Sequence, residues 1–525
     1  MAKVFSEPCG EGVVMSRKAD ATCSKAQGRW VLVATILASA MAFIDGTVVN
    51  VALPFLQQEL NATAIDVQWV VESYALFLSA LLLVGGALGD RYGRRLVFLI
   101  GVIIFAAASV ACGVSANIQQ LIIARAVQGV GGALLVPGSL ALISASFSSE
   151  NRGKAIGTWS GFSAITTAIG PILGGWLIEN VSWRAIFFIN IPLAAAVVVI
   201  SIWRVPESRD EEVKGRLDWL GALLATVGFA GIVYGLLESP QFGFRNTKVV
   251  AALMIGVLAL LTFLFVQTRV KNPMVPLGLF KSKDFAGANL LTLLLYAALS
   301  AAMFFLTLNL IQIQGYSATA AGAAFFPFVL IMFVLARWSG GLVDRYGPRL
   351  PLIIGPVVAG IGFALFVIPG TAANYWKDIL PAVCFLGLGM AISVAPLTTT
   401  VMGSVKQELA GLASGINNAV SRAAGLLAIA VLGVVMLFTF NRYLQARLAQ
   451  MDPPEAAKNA LLTQSIKLGG IEVPTDLPPG DQEALRQAIG DSFVGGYRVL
   501  MIIAACLAFA SAACSWIFIG RARRD

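Results

Sequence analysis

Apolar runs long enough to cross a lipid bilayer recur along nearly the whole 525-residue chain and restrict its fold more than any other feature. A helix needs about 20 such residues to cross a hydrocarbon core of ~30 Å. Because lipid offers no hydrogen-bond partners, each run has to satisfy its backbone internally as an α-helix. The sequence predicts an all-α polytopic membrane protein with fourteen spans, at residues 30–53, 67–89, 96–115, 119–147, 154–178, 184–204, 217–238, 249–268, 285–313, 320–343, 350–370, 379–402, 409–440 and 497–520.

The charge distribution follows membrane topology. Only 12% of the residues are charged, against about 25% in soluble domains. If both termini are cytoplasmic, most of the 37 Lys and Arg residues fall in cytoplasmic loops and tails, as the positive-inside rule requires. The net charge of +9 is therefore interpreted as a topology signal, with no nucleic-acid partner expected. We expect a multi-pass protein of the cytoplasmic (inner) membrane with both termini cytoplasmic.

Cysteine and histidine usage limits the chemistry. The six cysteines show no metal-ligand spacing, and four lie in apolar spans where a small hydrophobic residue is the default. We expect no metal, no cofactor and no disulfide framework. The chain has no histidine, so proton chemistry near neutral pH falls to carboxyl groups.

An internal repeat organises the chain. The segment Gly86 to Arg95 recurs as Gly340 to Arg349 with seven identities in ten at an offset of 254 residues, and further glycines match at the same offset. Duplicated bundles usually bind substrate between their halves and rock one half against the other. The predicted units are a tail at 1–29, a six-helix half at 30–204, two additional helices with linkers at 205–283, a second half at 284–520 with an extracytoplasmic insert at 441–496, and a tail at 521–525.

Several stretches resemble known transporter motifs. The segment Gly86 to Arg95 resembles the loop signature of the major facilitator superfamily. The stretches 44–54, 125–132, 161–175 and 183–192 resemble motifs of its fourteen-span drug:proton antiporters. This resemblance implies the major facilitator fold, two six-helix halves plus two extra central helices. It also implies proton-driven efflux, by alternating access, of small amphipathic, often cationic drugs or toxic compounds.

Three charged residues lie inside predicted spans. At 1.5 Å per residue, Asp45 is about 22 Å, Arg125 about 9 Å and Glu72 about 7 Å from the ends of their spans. A charge at such a depth costs at least ~2.5 kcal/mol unless it faces the bundle interior and finds a partner. Asp45, Arg125 and Glu72 are the predicted proton-coupling residues. Two alternatives stay open: the Asp45 and Arg125 pair is purely structural, and Glu72 faces lipid headgroups.

The two repeat copies supply predicted gating residues. In the resembling family the loop aspartate meets the positive end of a neighbouring helix, and the arginines pair with cytoplasmic acids. An exposed helix-dipole contact contributes about 0.3–1 kcal/mol, which suits a reversible latch. Plain cytoplasmic retention of basic residues is the alternative. The predicted gating residues are Gly86, Asp90, Arg91, Gly93, Arg94, Arg95, Asp344 and Arg345.

The 161–175 stretch supplies a predicted conformational motif. Small residues let helix backbones approach closely, and proline removes a backbone hydrogen bond. Generic helix packing would require the same residue types. The motif consists of Gly161, Gly170, Pro171, Gly174 and Gly175.

Aromatic and amide side chains within spans are the candidates for substrate binding. Aromatic faces attract organic cations, and buried amides need partners. The candidates are Phe43, Trp69, Tyr74, Gln128, Trp159, Asn309, Gln312, Phe326, Asn417 and Asn418. Arg422 lies about 20 Å into span thirteen and needs a polar partner that the sequence does not identify.

Other functions fit the sequence less well. The chain has no phosphate-binding GxxxxGK[ST] and no hydrolase or kinase signature, so an enzyme is not expected. A dedicated exporter of one metabolite or antibiotic, a symporter or facilitator, and a non-transporting membrane sensor or scaffold remain alternatives. The expected partners are small-molecule substrates, protons and lipid. The protein is expected to be a monomer, with a periplasmic adaptor protein as the alternative.

Overall fold

The computed structural model describes residues 25–209, 217–406, 409–451 and 453–520, which form helices, turns and loops without a strand. The predicted tail at 521–525 and the tail residues before Lys25 lie outside the described residues.

Fourteen apolar helices or broken helices follow one another, each close to a predicted span. They are α1 (Lys25–Glu59), α2 (Ala64–Tyr92), α3 (Arg94–Gly113), α4 (Ile118–Ser146), α5 (Ser149–Asn180), α6 (Ala185–Arg204, interrupted at Ile189), α7 (Trp219–Phe242), α8 (Thr247–Arg269), α9 (Lys283–Leu308), α10 (Phe326–Gly340), α11 (Arg349–Leu365), α12 (Leu380–Gly403), α13 (Ala410–Met451) and α14 (Pro479–Phe518).

The predicted tenth and eleventh spans differ from the observed helices. Span ten is divided into a short helix at Ala318–Ala323 and α10, because Pro327 occupies the first turn of α10 and favours a new helix start. The helix α11 ends five residues early, ahead of Pro369, because a residue before proline is disfavoured in a helix. In the described part of the chain, thirteen segments are long and apolar enough to cross a membrane. The helix α11, with 17 residues, is apolar but shorter than these.

Helices one to six and nine to fourteen repeat one packing pattern. We call α1–α6 the N-half and α9–α14 the C-half. In the N-half α1 packs on α5 and α6, and α4 packs on α2 and α3; the C-half has the corresponding pairs. Both repeat copies also place a glycine of positive φ between two helices, Gly93 at 119° and Gly347 at 72°. L-residues with a side chain rarely adopt such values, so the repeated glycines are a conformational requirement.

The two additional helices lie at the side of the bundle. The helix α7 packs on α8 and contacts both α2 and α13. The helix α8 exposes leucines such as Leu258 and Leu261, each 58% exposed, as expected of a lipid-facing helix. The pair therefore adds to the seam where α2 meets α13 without separating the halves.

The last two helices are longer than their predicted spans. The helix α13 has 42 residues and α14 has 40, so both enter the predicted 441–496 insert. Between them lie a short helix at Glu455–Thr463 and a 3₁₀ segment at Ser465–Gly470. Hydropathy identified the apolar parts of these helices but not their polar extensions.

Two hydrogen bonds join the halves at one end of the bundle, in addition to the packing of α2 on α13. We call the end with the α1–α2 turn the first-turn end and the end with the α2–α3 turn the second-turn end. At the first-turn end Gln312 Nε2 donates to Gln57 Oε1 at 2.6 Å, and Thr319 Oγ1 donates to Glu179 Oε2 at 2.6 Å. These bonds join the N-half to residues that follow α9 in the C-half.

Candidate functional site

A buried ion pair joins α1 to α4. Asp45 is 0% exposed and Arg125 is 1% exposed. The Asp45 Oδ2 atom accepts a hydrogen bond from Arg125 Nη1. The Oδ1 atom accepts from Gln128 Nε2 at 2.7 Å and from Asn190 Nδ2 at 3.4 Å. Asp45 is therefore a carboxylate held by one charged and two amide donors, contributed by α1, α4 and α6.

The guanidinium of Arg125 has further partners. Its Nε donates to the Val70 carbonyl at 3.1 Å, and Nη1 also donates to Gln128 Oε1 at 2.6 Å. Its central carbon lies 4.3 Å from the centre of the Tyr74 ring, a cation–π distance. Tyr74 and Val70 belong to α2, so the pair also ties α2 to α4. A buried pair with this many hydrogen bonds compensates for much of its desolvation cost.

A second layer of polar residues supports the pair. Ser109 Oγ on α3 accepts from Gln128 Nε2 at 2.9 Å and from Asn190 Nδ2 at 3.2 Å. The sequence did not predict Ser109 or Asn190 as site residues, although Asn190 is a lone amide in the 183–192 stretch. We call this set of residues the charge cluster: Asp45, Arg125, Gln128, Asn190 and Ser109. Gln128, predicted to bind substrate, thus lies in the charge cluster.

Glu72 lies elsewhere on α2 and has no hydrogen-bond partner. It is 0% exposed, and neither side-chain oxygen bonds to another described residue. Its neighbours on the same face, Gln68 and Leu83, lie against Gly433 and Gly415 of α13. Positions 68, 72, 79 and 83 share one face of a helix, so Glu72 faces the seam between the halves. A buried polar group without a hydrogen-bond partner is costly, so Glu72 is a candidate for a group that gains a partner when the halves move.

The predicted gating segment makes local contacts within the N-half. Asp90 Oδ1 accepts from Arg94 Nε at 2.8 Å. Glu207, which the sequence reasoning missed, accepts from the backbone N–H groups of Arg95 at 2.9 Å and Leu96 at 3.1 Å. The Arg95 side chain also pairs with Glu207 at 3.8 Å. The carboxylate observed at a helix N-terminus is thus Glu207, where the family resemblance implied Asp90.

The other gating residues frame this segment. Arg91 stacks over the Tyr92 ring at 5.4 Å. A Cβ atom at Gly86 would lie 3.7 Å from Pro137 of α4, an ordinary contact, so helix packing does not require glycine there. In the second copy Arg345 is exposed, and Asp344 lies on a short helix at Leu342–Tyr346.

The glycines of the 161–175 motif allow close contacts on two sides of α5. Gly170 lies against Thr47, and Gly174 against Val48, both on α1. A Cβ atom at Gly175 would lie 2.5 Å from the Ala318 backbone in the C-half. The glycines of the motif therefore let α5 pack closely against α1 on one side and against the C-half on the other.

One further contact of the motif lies across the halves, and one motif glycine lies in open space. Gly322 lies against the backbone of Pro171, so small residues on both sides allow this approach. A Cβ atom at Gly161 would have no neighbour within 4 Å.

Two of the predicted aromatic residues form a pair at the N-half. The Phe43 and Trp159 rings lie 6.4 Å apart, and Trp159 Nε1 donates to Ser39 Oγ at 2.9 Å. Trp69 Nε1 instead donates to Glu238 of α7 at 3.0 Å, which connects α2 to the additional helices.

Three other candidates lie at the first-turn end. Asn309 begins a π-helical turn after α9 and accepts from Gln314 Nε2 at 3.3 Å. Gln312 bonds to Gln57 across the halves. Phe326 is 47% exposed at the start of α10. These residues belong to the contact region of the first-turn end.

The amides of α13 have defined partners. Asn417 Nδ2 donates to Asn289 Oδ1 at 3.2 Å and to Thr292 Oγ1 at 2.7 Å, which ties α13 to α9. Asn418 Oδ1 accepts from Arg422 Nε at 3.2 Å. Asn417 therefore connects α13 to α9, and Asn418 bonds to an arginine of its own helix; their part in substrate binding stays a prediction.

The fold and the buried charges define a class of protein. Two halves with the same helix pairing, joined at a seam that carries intramembrane charged residues, are the architecture of a secondary transporter. The sequence profile of the Major Facilitator Superfamily matches residues 35–429, and the chain belongs to this superfamily.

Relatives cover most of the chain. The tetracenomycin C resistance and export protein of Streptomyces glaucescens is 31% identical over 510 residues, which cover 94% of this chain and 92% of that protein. Multidrug resistance protein Stp of Mycobacterium tuberculosis is 32% identical over 481 residues, with 90% and 88% coverage. The puromycin resistance protein of Streptomyces alboniger is 34% identical over 419 residues, with 79% and 83% coverage.

Solved structures share the fold at low sequence identity. A bacterial homologue of the human lysosomal transporter Spinster, in an inward-facing and unoccupied conformation, has a TM-score of 0.62 at 16% identity and covers 94% of this chain and 98% of its own. The xylose transporter XylE from E. coli, inward open, has a TM-score of 0.55 at 16% identity, with 94% and 97% coverage. These similarities support the predicted major facilitator fold.

Proposed function

We propose that this protein is a proton-coupled antiporter that exports small amphipathic compounds from the cytoplasm by alternating access. The observation that carries the proposal is the buried pair of Asp45 and Arg125 in a superfamily transporter whose relatives are named for resistance and export. Both termini would lie in the cytoplasm, so the first-turn end would face outward.

The pair offers a physical basis for proton coupling. A proton that binds Asp45 removes the charge that compensates Arg125, and an uncompensated buried charge costs about 3–5 kcal/mol. Proton loading therefore favours a conformation in which Arg125 has another partner or reaches water. Such a difference between two conformations is what couples a ligand to an equilibrium.

The contacts between the halves support alternating access. The bonds of Gln57 with Gln312 and of Glu179 with Thr319 hold the first-turn end together. With that end outward, these bonds would close the outward path of the cargo. Opening outward would require these bonds and the contact of Gly175 with Ala318 to break.

Glu72 is the second carboxyl group of the proposal. It lies on the α2 face that meets α13, where motion between the halves changes its surroundings. Its side-chain oxygens have no partner among the described residues, whereas those of Asp45 accept hydrogen bonds from three side chains. The two carboxyl groups would thus respond differently to motion between the halves.

The test is transport into proteoliposomes. Uptake is driven by those copies of the purified protein whose cytoplasmic face points outward. Three pyrene probes share a butyl chain and end in a carboxylate, a trimethylammonium or a hydroxyl group. We expect a pH gradient, acidic inside, to drive accumulation of at least one probe above protein-free liposomes, and nigericin to abolish it. Accumulation that ignores nigericin would refute proton coupling.

The matched variant is the double substitution Asp45→Asn with Arg125→Gln, which removes both charges and leaves none unpaired. We expect it to insert normally and to lose the gradient-driven accumulation. Retained accumulation in that variant would assign coupling to another group, and Glu72→Gln would then be compared in the same assay.

A dedicated exporter is the second candidate. One relative is named for tetracenomycin C and another for multidrug resistance, and they are 31% and 32% identical to this chain. Names that specify one compound and names that specify many drugs thus both occur among relatives at this level of sequence identity. Accumulation of several unrelated compounds in the liposome assay would favour the multidrug function, and accumulation of one compound class would favour the dedicated function.

A further inference from the structure

Arg422 of α13 is a cation at the seam between the halves that forms no ion pair with an acidic residue of the described chain. We propose that its guanidinium binds an acidic group of the cargo, a carboxylate or an acidic hydroxyl, within the amphipathic class. This inference rests on the proposed export function for its physiological meaning, and it assigns to the cargo the opposite charge from that implied by the family resemblance.

The position of Arg422 on α13 places it on the face that meets α2. Gly415 of α13 lies beside Leu83, and Gly433 lies against Gln68. Arg422 is seven residues after the first glycine and eleven before the second, and both spacings return to the same face of a helix. The arginine is thus between two contacts that join the N-half to the C-half.

The hydrogen bonds of Arg422 leave most of its donors free. Its Nε donates to Asn418 at 3.2 Å, four residues earlier on the same helix. In the described part of the chain no carboxylate oxygen lies within 4.0 Å of its guanidinium. The two terminal nitrogens carry four N–H groups, arranged as the planar fork that matches a carboxylate bidentately. The bond to Asn418 orients this fork without occupying it.

The nearby charges do not compensate Arg422. Asp45 is already held by Arg125, Gln128 and Asn190. Among the described residues Glu72 has no hydrogen-bond partner, and no ion pair joins it to Arg422. A partly buried cation such as Arg422 is costly unless a partner arrives. An anionic group on the cargo is such a partner, whereas a cationic group would be repelled.

The surroundings of Arg422 suit an amphipathic molecule. Ala419, one turn earlier, is half-buried and packs against the N-half cluster that contains Tyr74 and Leu78. An acidic group would meet the guanidinium while its apolar body lies beside Ala419.

The test is binding of the three pyrene probes to purified full-length protein in nanodiscs of uncharged phosphatidylcholine, without any gradient. Loss of a charge-assisted bidentate contact should weaken binding of the carboxylate probe roughly tenfold or more in Arg422→Gln. Binding of the hydroxyl and trimethylammonium probes should change less than about threefold, since their contacts do not involve the anion partner. An equal loss for all three probes, or no loss for the carboxylate, would overturn the proposal.

Two further variants separate recognition from folding. Arg422→Lys keeps the charge but not the fork, so it should retain part of the preference for the carboxylate. Asn418→Ala removes the orienting bond and leaves the cation, so it should weaken carboxylate binding by a smaller factor than Arg422→Gln. Unchanged carboxylate binding in both Arg422→Gln and Asn418→Ala would refute the subsite even if stability changes.

The binding test and the transport test fail independently. If Arg422→Gln loses carboxylate binding but nigericin leaves accumulation unchanged, the anion subsite stands and proton coupling falls. If accumulation depends on the gradient but Arg422→Gln binds every probe as the wild type does, proton coupling stands and the subsite falls.

Discussion

Glu207 lies at the N-terminus of α3, where its carboxylate accepts a hydrogen bond from the backbone N–H of Arg95 at 2.9 Å. The segment after α6 thus supplies a capping group to the helix that follows the α2–α3 turn, the first cytoplasmic turn of the sequence-predicted topology. Backbone N–H groups at a helix start have no partners within the helix, and a carboxylate there also interacts favourably with the helix dipole.

The first prediction concerns this cap. Glu207→Ala should destabilise the protein by about 0.5–2 kcal/mol, the usual loss for a helix cap. The measurement is thermal unfolding of the purified protein. Glu483→Ala is the control, because Glu483 is 75% exposed in a pair with Arg486 that exposed geometry makes weak. Equal unfolding temperatures for the two variants would show that Glu207 contributes no more than an ordinary surface acid.

The second prediction concerns Glu72. Glu72→Leu should stabilise the protein by roughly 1–3 kcal/mol, because it removes two buried oxygens that have no hydrogen-bond partner. Ser79→Ala is the control on the same helix face, since its hydroxyl is already satisfied by the Ala75 carbonyl at 2.6 Å. If unfolding measurements show Glu72→Leu to be less stable than the wild type, the carboxyl group has a partner in solution.

The sequence was sufficient to predict the helical fold and to name both members of the charge pair. Long apolar runs in lipid allow little besides helices, and an intramembrane charge needs a partner of opposite sign. Both constraints follow from residue type and from position along the chain, so they can be applied without a structure. For this reason Asp45 and Arg125 could be proposed together although 80 residues separate them.

The supporting residues could not be found in this way. Asn190, Ser109 and Glu207 meet their partners because of how their helices are rotated and tilted, which hydropathy does not encode. The polar extension of α13 to Met451 was missed for a related reason. Beyond the apolar region lipid no longer restricts composition, so the helix continues without the signal that revealed it.

The third prediction concerns the contact between the halves at the first-turn end. Gly175→Ala places a methyl group 2.5 Å from the Ala318 backbone, so it should force the halves apart there. Gly161→Ala is the matched control, because its methyl group would have no neighbour within 4 Å. Both substitutions change helix propensity alike.

Cross-linking measures that contact. The side chains of Gln57 and Gln312 meet at their amide ends across the halves. Cysteines placed at both positions in a cysteine-free background should therefore be joined efficiently by a short bifunctional thiol reagent. We expect severalfold less cross-linking with Gly175→Ala and no change with Gly161→Ala. Equal yields in the two variants would mean that the close approach of α5 is not needed to hold this end together.

The fourth prediction is a double-mutant cycle on the charge pair. Asp45→Asn leaves Arg125 buried without a counter-charge, and Arg125→Gln leaves Asp45 buried without one. Each single substitution should therefore lower the free energy of unfolding by about 3–5 kcal/mol. The double variant should cost less than the sum of the two, because neither buried charge is left alone. Thermal unfolding of all four proteins in one detergent provides the comparison. Additive losses would show that the two side chains do not stabilise one another, and the coupling role that depends on their pairing would then have no physical basis.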